Sequence, residues 1–373
     1  MRISIPAAVL AGCITVLLFQ PTAVAVDDSG AAAPAPRTSA GGGSVTSVAL
    51  TSGGAVAPRS TRSFELLGVV WDGSPTALAG GFVRVRTRDA ATGRWSDWHT
   101  LEADAVDGPD AVAHGATAPL WAGRSDGVAV DVHPGPAGLP RGLRVELVDP
   151  GQGAAASTDA QTLPERPAGP ETAAAPRPGI VTRAGWGADE SIREAGFVYT
   201  GAVRVAFVHH TATATDYACS DAPRVIRSIY QYHVQSNGWR DIGYNFLVDR
   251  CGTIYEGRAG GVDQPVFGAH TLGFNTNSSG IAAIGTFSSD TPPQELQDGL
   301  AKISAWKLGL TGRSAGGTAQ LTSGSDASLY PKGTVVAFHA ISGHRDGFAT
   351  ECPGEALYAR LPAIRGTAVR LQG

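Results

Sequence analysis

The sequence predicts two folded domains of different class: a small β-rich, sandwich-like domain, then an α/β domain with a mixed central β-sheet flanked by helices. Residues 61–150 contain short runs in which apolar and polar side chains alternate, the pattern of half-buried strands. Residues 179–373 instead alternate continuous apolar runs with segments of helical periodicity. Gly and Pro account for 49 and 24 of the 373 residues, which is high for one compact domain and indicates linkers.

The composition limits the functions that the chain can have. Hydrophobic residues make up 43% of it, which is enough for a substantial core. The 29 basic and 33 acidic residues give a formal net charge of −4. Because there is no excess of positive charge to neutralise phosphates, the composition argues against nucleic-acid binding as the main function.

Residues 1–25 are predicted to be a signal peptide. Arg2 precedes an apolar run over residues 3–19, and residues 23–25 (Ala-Val-Ala) have the small-x-small form of a signal-peptidase site. The alternative is a lipoprotein anchored through Cys13, but the apolar run continues beyond that residue, so we prefer secretion. No later stretch has the roughly 18–20 apolar residues that a membrane-spanning helix needs, so the mature chain is predicted to have no transmembrane segment.

Two flexible linkers are predicted to border the β-rich domain. Residues 26–60 and 151–178 are rich in Ala, Gly, Pro, Ser and Thr and show no strand or helix periodicity. Between them, alternation is clearest over residues 81–89, 127–134 and 143–150. Large aromatic side chains are mostly buried, so we interpret the domain's tryptophans as core residues and not as a carbohydrate-stacking platform. They are Trp71, Trp95, Trp98 and Trp121.

The order of elements in the C-terminal region fits a mixed sheet. An apolar run over 203–210 predicts a buried strand that ends in two histidines, and residues 221–238 predict a helix. The further predicted elements are a hairpin over 244–258, a strand over 280–287, a helix over 292–310 and a strand over 335–343. A last helix is predicted from Pro353, ended or kinked by Pro362.

Three side chains of this region are candidate metal ligands. His209 ends a predicted strand, His344 follows the last strand, and Cys352 lies eight residues later beside a predicted helix N-terminus, which favours a thiolate. A catalytic zinc site uses three such ligands and leaves one position for water. By spacing alone, three residues spread over so much sequence are a weak signal.

Five motifs in one order provide a stronger signal. They are VHHT (208–211), GWRDIGYNFLVD (238–249), GTIYEGR (252–258), GAHTLGFNTNSSGIAAIGTF (268–287) and GHRDGFATECPG (343–354). Together they resemble the peptidoglycan recognition proteins and the phage-lysozyme-like zinc amidases, which are type 2 N-acetylmuramoyl-L-alanine amidases. The resemblance covers about residues 180–365 and none of the chain before them.

The resemblance implies a zinc ion held by His209, His344 and Cys352. It implies hydrolysis of the lactyl amide between N-acetylmuramic acid and L-alanine of peptidoglycan, with Tyr244 and Thr350 as catalytic residues. Tyr244 would act beside the reacting water, and Thr350 stands where the phage enzymes carry Lys and the recognition proteins carry Thr. Family members that lack the cysteine bind cell wall without cutting it, and this chain retains it. The motifs do not identify the group that protonates the leaving amine.

The resemblance also implies a groove for the glycan and stem peptide of peptidoglycan. The candidate substrate-binding residues are Trp239, Arg258, His270 and Asn275. His270 and Asn275 have turn structure as their alternative role, and Trp239 has packing beneath the groove. Arg258 is followed by Ala-Gly-Gly, whereas many recognition proteins have Gly-Trp there, a pair linked to diaminopimelate preference. The stem-peptide preference is therefore not predicted.

The number and predicted pairing of the cysteines are consistent with an exported protein. Secretion places the chain in an oxidising compartment, and we predict a disulfide between Cys219 and Cys251. Cys352 then stays outside the disulfide, as metal ligation requires. The preferred function is a secreted zinc amidase associated with the cell wall. The alternatives are a peptidoglycan-binding module without activity and a different zinc hydrolase, such as a peptidase.

Overall fold

The computed structural model describes Met1 and residues 37–38, 42–104, 108–110, 114–153, 162–167 and 175–373. Apart from Met1, the predicted signal peptide and the alternative lipid anchor at Cys13 lie outside the described residues. Of the helices in the described ranges, none combines the length and the apolar character needed to cross a bilayer.

The N-terminal domain is an antiparallel sheet of nine strands, which confirms the prediction of a β-rich domain. Its longest strand pairs with three others and shifts register along its length, which bends the sheet. The main strand order is β1-β2-β9-β3-β8-β4-β5, with β7 pairing to β3 and β6. The strands are β1 (Arg37–Thr38), β2 (Ser44–Ala49), β3 (Ala55–Asp72), β4 (Phe82–Asp89), β5 (His99–Leu101), β6 (Ala103–Asp104), β7 (His114–Thr117), β8 (Leu120–His133) and β9 (Arg144–Asp149).

The prediction of a flexible linker over residues 26–60 is wrong for its later part. Residues of β2 pair with β9 along its whole length, and β3 begins at Ala55. Val45 is buried in this sheet while its neighbours in β2 are half-buried. A composition rich in Ala, Ser and Thr therefore concealed a strand that has one buried face.

The tryptophans of this domain occupy two environments. Trp71 and Trp121 are buried, as predicted for core aromatics. Trp98 is exposed, and the guanidinium groups of Arg84 and Arg86 lie 5.5 and 5.0 Å from its ring centroid. The core interpretation is therefore wrong for Trp98, whose ring carries stacked cations at the surface.

The C-terminal domain contains the predicted mixed sheet, in the order β10-β11-β14-β13-β15-β12-β18. Its central strands run parallel, and the β13–β14 hairpin and the β10–β11 pair are antiparallel. The β10–β11 pair lies partly in the second predicted linker, because its first strand falls within residues 151–178. The strands are β10 (Thr162–Leu163), β11 (Ile180–Val181), β12 (Val205–His210), β13 (Phe246–Val248), β14 (Ile254–Glu256), β15 (Ser278–Ala283) and β18 (Ile341–Gly343), and β16 (Thr318–Thr322) and β17 (Val335–His339) form a separate two-stranded sheet.

Helices cover both faces of the mixed sheet. Successive residues of β13 point to opposite faces, so Leu247 packs in the same cluster as α2, whereas Phe246 and Val248 pack with α3 and α5. The helices are α1 (Arg183–Trp186), α2 (Ala222–Gln231), α3 (Gln294–Gly309), α4 (Glu355–Tyr358) and α5 (Leu361–Gln372). A π-helical turn over Tyr232–Ser236 continues α2.

Proline positions explain where the C-terminal helices break. Pro362 was predicted to end or kink a helix, but it lies in the first turn of α5 instead. A proline is tolerated there because the first N–H groups of a helix have no partner within it. The break falls before Pro362, between α4 and α5.

The two domains share a hydrophobic core, although the sequence predicted a linker between them. Leu66, Val70 and Trp121 of the N-terminal sheet belong to the same buried cluster as α2. The Tyr232 hydroxyl, just after α2, donates a hydrogen bond of 2.9 Å to the carbonyl of Thr117. The described residues of the two domains accordingly belong to one compact unit.

Candidate metal centre

Two parallel strands bring the candidate metal ligands to one edge of the sheet. β12 and β18 are hydrogen-bonded neighbours, with Val208 opposite Gly343. His209 follows Val208 and His344 follows Gly343, so both imidazoles leave the sheet at the carboxyl ends of adjacent strands. In open α/β sheets this edge is where ligands bind.

Cys352 joins the two histidines from the segment that precedes α4. One ligand atom each from His209, His344 and Cys352 lie within 4.8 Å of one another, and all three residues are buried. The Cys352 Sγ is 3.8 Å from Nδ1 of His209. The ring centroids of the two histidines are 4.5 Å apart. The structure therefore brings together the three residues that the sequence analysis singled out.

The sulfur of Cys352 accepts a hydrogen bond from the backbone. The N–H of His210 donates to Sγ over 3.3 Å. The sequence predicts that a helix N-terminus beside Cys352 favours the thiolate, but α4 has only four residues and begins at Glu355. A helix this short has a small dipole, so the His210 N–H is the nearer source of positive potential.

A second histidine orients the His209 ring. Nε2 of His209 lies 3.2 Å from Nδ1 of His270, while Nδ1 of His209 faces Cys352. Histidines that bind metal commonly use their other ring nitrogen in such a hydrogen bond, which fixes the tautomer and the ring orientation. His270, predicted to bind substrate, therefore contacts His209 as well as lining the cleft described below.

Burial keeps the imidazoles at this edge neutral. Desolvation lowers the pKa of His209 well below its usual value of 6.5, and the nearby His344 lowers it further. Desolvation lowers the pKa of His344 to about 3 and that of His210 to about 4. Neutral imidazoles have the free lone pair that metal binding requires.

The donor set fits zinc. Two imidazole nitrogens and a cysteine sulfur are ligands that zinc accepts, at about 2.0–2.1 Å and about 2.3 Å. Donors at those distances on one tetrahedral ion are about 3.5 Å apart, close to the 3.8 Å between Cys352 Sγ and His209 Nδ1.

A cleft opens beside these ligands. Among the described residues, Trp239, Tyr244, His270, His344 and Cys352 line it from the C-terminal domain. The Tyr244 ring is half-buried and its centroid is 5.4 Å from that of His209. Trp239 both lines the cleft and packs against the buried His233, with 4.3 Å between the ring centroids, so its two alternative roles coexist.

Asn275 supports the loop beneath the cleft. Its Oδ1 accepts hydrogen bonds of 2.9 Å from the backbone N–H groups of His270 and Thr271. The residue is buried. This geometry favours the turn-forming alternative over direct substrate binding for Asn275.

The structure contradicts the substrate-binding prediction for Arg258. Its guanidinium forms two hydrogen bonds, of 2.8 and 2.9 Å, with the carboxylate of Asp110 in the N-terminal domain. It also donates to the backbone carbonyls of Ile242, Phe267 and Asp241. With both residues buried, Arg258 joins the two domains and does not face the cleft.

Thr350 lies in the cleft wall, where it contacts a residue that the sequence analysis missed. Its Oγ1 donates to Oε2 of Glu102 over 2.6 Å and accepts from the N–H of Cys352 over 3.1 Å. Glu102 belongs to the N-terminal domain and also lines the cleft. No motif of the sequence signals this contact, because the two residues are 248 positions apart in different domains.

Comparison with known families agrees with this architecture. Residues 199–355 match the family model described as N-acetylmuramoyl-L-alanine amidase. Residues 23–174 match the model described as Rv3811 N-terminal galactose-binding domain-like. The fold and the site thus define an amidase-type α/β domain preceded by a β-rich, galactose-binding-like domain.

Individual relatives specify the family. The chain is 32% identical over 185 residues to peptidoglycan-recognition protein SC2 of Drosophila melanogaster, covering 49% of this chain and 84% of the relative. It is 33% identical over 162 residues to the N-acetylmuramoyl-L-alanine amidase of Homo sapiens, covering 42% of this chain and 23% of the relative. The solved structure of Drosophila PGRP-LB is 26% identical, with a TM-score of 0.39 and coverage of 49% of this chain and 92% of that one.

The chain therefore belongs to the peptidoglycan recognition protein family, which includes type 2 amidases. This membership gives it an amidase or binding function directed at peptidoglycan.

His233, buried beneath Trp239, predicts a pH dependence of folding stability. Desolvation lowers its pKa from 6.5 to about 3, and its Nδ1 accepts the N–H of Gly243 over 3.1 Å. Between pH 3 and pH 6.5 the unfolded chain binds a proton at this residue and the folded chain does not. The free energy of unfolding that depends on neutral His233 is therefore fully retained above about pH 6.5 and decreases as the pH is lowered.

We expect His233→Asn to remove the His233 contribution to this dependence, because an amide oxygen also accepts the Gly243 N–H but does not titrate. Between pH 7 and pH 5 the wild type should lose about 2 kcal/mol of unfolding free energy more than the variant. Urea unfolding at the two pH values measures the difference. Parallel losses in both proteins would contradict the assignment.

Proposed function

We propose that this protein is a secreted, zinc-dependent N-acetylmuramoyl-L-alanine amidase that hydrolyses the lactyl amide between N-acetylmuramic acid and L-alanine in peptidoglycan. The observation that carries the proposal is the convergence of the His209, His344 and Cys352 donor atoms, within 4.8 Å of one another, beside a cleft lined by Tyr244. Retention of Cys352 favours the enzyme over a binding module, since family members without that cysteine bind wall without cutting it.

In this proposal His209, His344 and Cys352 hold the ion, which when bound acts as a Lewis acid that polarises the amide carbonyl and lowers the pKa of water. The protein keeps these ligands in place. His270 orients the His209 ring from behind, and the His210 N–H stabilises charge on the Cys352 sulfur. Both contacts are buried, so water does not compete for them.

Tyr244 is the residue of the C-terminal domain best placed to stabilise charge during the reaction. Its half-buried ring lines the cleft beside His209. A phenol hydroxyl in a cleft can donate a hydrogen bond to the oxyanion that forms when the amide carbonyl is attacked. Such a donor stabilises the transition state more than the substrate, and therefore raises the rate.

Secretion is supported by the disulfide between Cys219 and Cys251. Disulfides persist in oxidising compartments and are rare in reducing ones. The bridge ties the start of α2 to the turn between β13 and β14, so it stabilises the domain that carries the ligands. The predicted signal peptide agrees with the same compartment, and peptidoglycan is the substrate that an exported protein would meet at the wall.

Loss of the cysteine ligand should remove both zinc and activity. We expect wild-type protein to release free L-alanine amino termini from purified peptidoglycan without new reducing sugars, as mass spectrometry of the digest would show. EDTA should abolish the release. Cys352→Ala should bind less than a tenth of the zinc that the wild type binds, as elemental analysis of the two proteins would measure. His339→Ala, which removes an exposed imidazole, serves as the control and should keep both zinc and activity.

Other outcomes of this digestion would identify the alternatives. Unchanged wall that retains the protein would indicate a binding module. New termini between amino acids of the stem peptide would indicate a peptidase. Full activity in the presence of EDTA would contradict the zinc assignment.

Removal of the Tyr244 hydroxyl should slow the reaction and leave zinc binding intact. Loss of one oxyanion donor typically costs about 10²–10³ in rate, so we expect a decrease of that size in kcat for Tyr244→Phe. The matched control is Tyr199→Phe, because Tyr199 is an exposed tyrosine whose hydroxyl donates to the carbonyl of Gly260. A Tyr244→Phe variant with wild-type kcat would contradict the role of Tyr244.

A further inference from the structure

The N-terminal domain forms one wall of the candidate active-site cleft. Leu101, Glu102 and Ala103, at the end of β5 and the start of β6, line the cleft together with Leu120. His344, Cys352 and Tyr244 line it from the C-terminal domain. The cleft is therefore built by both domains, and the amidase-type domain supplies only part of it.

Buried contacts between the two domains hold this wall in position. Asp110 and Arg258 form a bidentate ion pair, and the carboxylate of Asp110 also accepts the N–H of Arg240 over 2.9 Å. The Tyr232–Thr117 hydrogen bond and the shared apolar core lie at the same interface. Segments anchored in this way present their side chains to the cleft at fixed positions.

Glu102 is the residue of this wall that bonds to the ligand-bearing segment. Its Oε2 accepts the hydrogen of the Thr350 hydroxyl over 2.6 Å, and both of its carboxylate oxygens lie 3.3 Å from the N–H of Glu351. Thr350 in turn accepts the N–H of Cys352. A continuous hydrogen-bond chain thus runs from the N-terminal domain to a candidate zinc ligand.

These hydrogen bonds determine which atoms of the Thr350 hydroxyl are available for a further hydrogen bond. A threonine hydroxyl has one hydrogen and two lone pairs. Its hydrogen is used by Glu102 and one lone pair by the Cys352 N–H, which leaves one lone pair. In this arrangement Thr350 has no hydrogen left to donate to an oxyanion. It can instead accept a hydrogen from water or an amine while it passes its own to the carboxylate.

Glu102 is also the better placed of two carboxylates at the cleft. Among the described lining residues the other is Glu351, whose side chain is 82% exposed and points to Arg345. Glu102 is half-buried and bonded to Thr350. Glu351 is the carboxylate that the five motifs contribute to this lining, and the N-terminal domain contributes Glu102, which is the better placed of the two for proton transfer.

We propose, on the basis of the amidase function proposed above, that Glu102 is the proton-transfer group of the reaction and acts through Thr350. As water attacks the amide carbonyl, one of its protons passes to the Thr350 oxygen while the Thr350 proton passes to the Glu102 carboxylate. When the C–N bond breaks, the same route returns the proton to the L-alanine nitrogen. Water is thereby added across the amide, and Glu102 and Thr350 return to their starting states.

Glu102→Gln tests this assignment. A glutamine oxygen can still accept the Thr350 hydrogen, but the amide cannot take a proton. General acid–base catalysis typically contributes about 10²–10⁴ in rate, so kcat on a soluble muropeptide should fall at least about 100-fold. KM, zinc content and thermal stability should stay at wild-type values. Glu165→Gln, which removes one negative charge from an exposed residue outside the cleft lining, should retain kcat within about two-fold.

Glu102→Ala with added formate distinguishes proton transfer from mere support of the wall. Formate is a small carboxylate that can occupy the space left by the side chain, and we expect it to restore part of the lost kcat. A structural role would give a different pattern: Glu102→Ala would lose kcat without restoration by formate, while Glu102→Gln would keep the wild-type kcat. That pattern would overturn the proposal.

Two further outcomes separate this inference from the proposed function. An active wild type with an equally active or faster Glu102→Gln variant would overturn the role of Glu102 alone. A wild type that releases no L-alanine amino termini would overturn the amidase function itself and, with it, this inference.

Discussion

The parallel pairing of β12 with β18 is the constraint on which the candidate site depends. It places His209 and His344 at the carboxyl ends of adjacent strands, with their rings 4.5 Å apart between centroids. Cys352 completes the group only because the segment after His344 returns to the same edge, where the His210 N–H reaches its sulfur. A shift of one residue in the pairing would turn one imidazole to the face of the sheet opposite the other and separate the two ligands.

The N-terminal domain adds a second constraint to this edge. Its docking against α2 buries apolar surface and the Asp110–Arg258 pair, and it places Glu102 on Thr350. A buried ion pair contributes little net stability, because removing both charges from water offsets their attraction. The pair therefore has more value in fixing the relative position of the domains than in stabilising them. Because the position of the N-terminal domain is fixed in this way, a domain outside the amidase fold can contribute a side chain to the cleft.

The sequence predicted the parts of the molecule that depend on local pattern. Alternating and continuous apolar runs predicted the two fold classes. The five ordered motifs singled out His209, His344 and Cys352 as candidate metal ligands. The motifs could not show that Arg258 pairs with Asp110, because the partner lies 148 positions away in a domain without a related motif. Composition also failed at residues 44–49, where serine and threonine occupy the less buried positions of a strand.

Zinc-edge X-ray absorption of the purified wild-type protein tests the central claim most directly, because it reports the atoms bound to the ion. The account predicts one sulfur at about 2.3 Å and two imidazole nitrogens at about 2.0–2.1 Å, with a further light atom completing four-coordination. A zinc environment without sulfur, or a folded protein that binds no stoichiometric zinc, would contradict it.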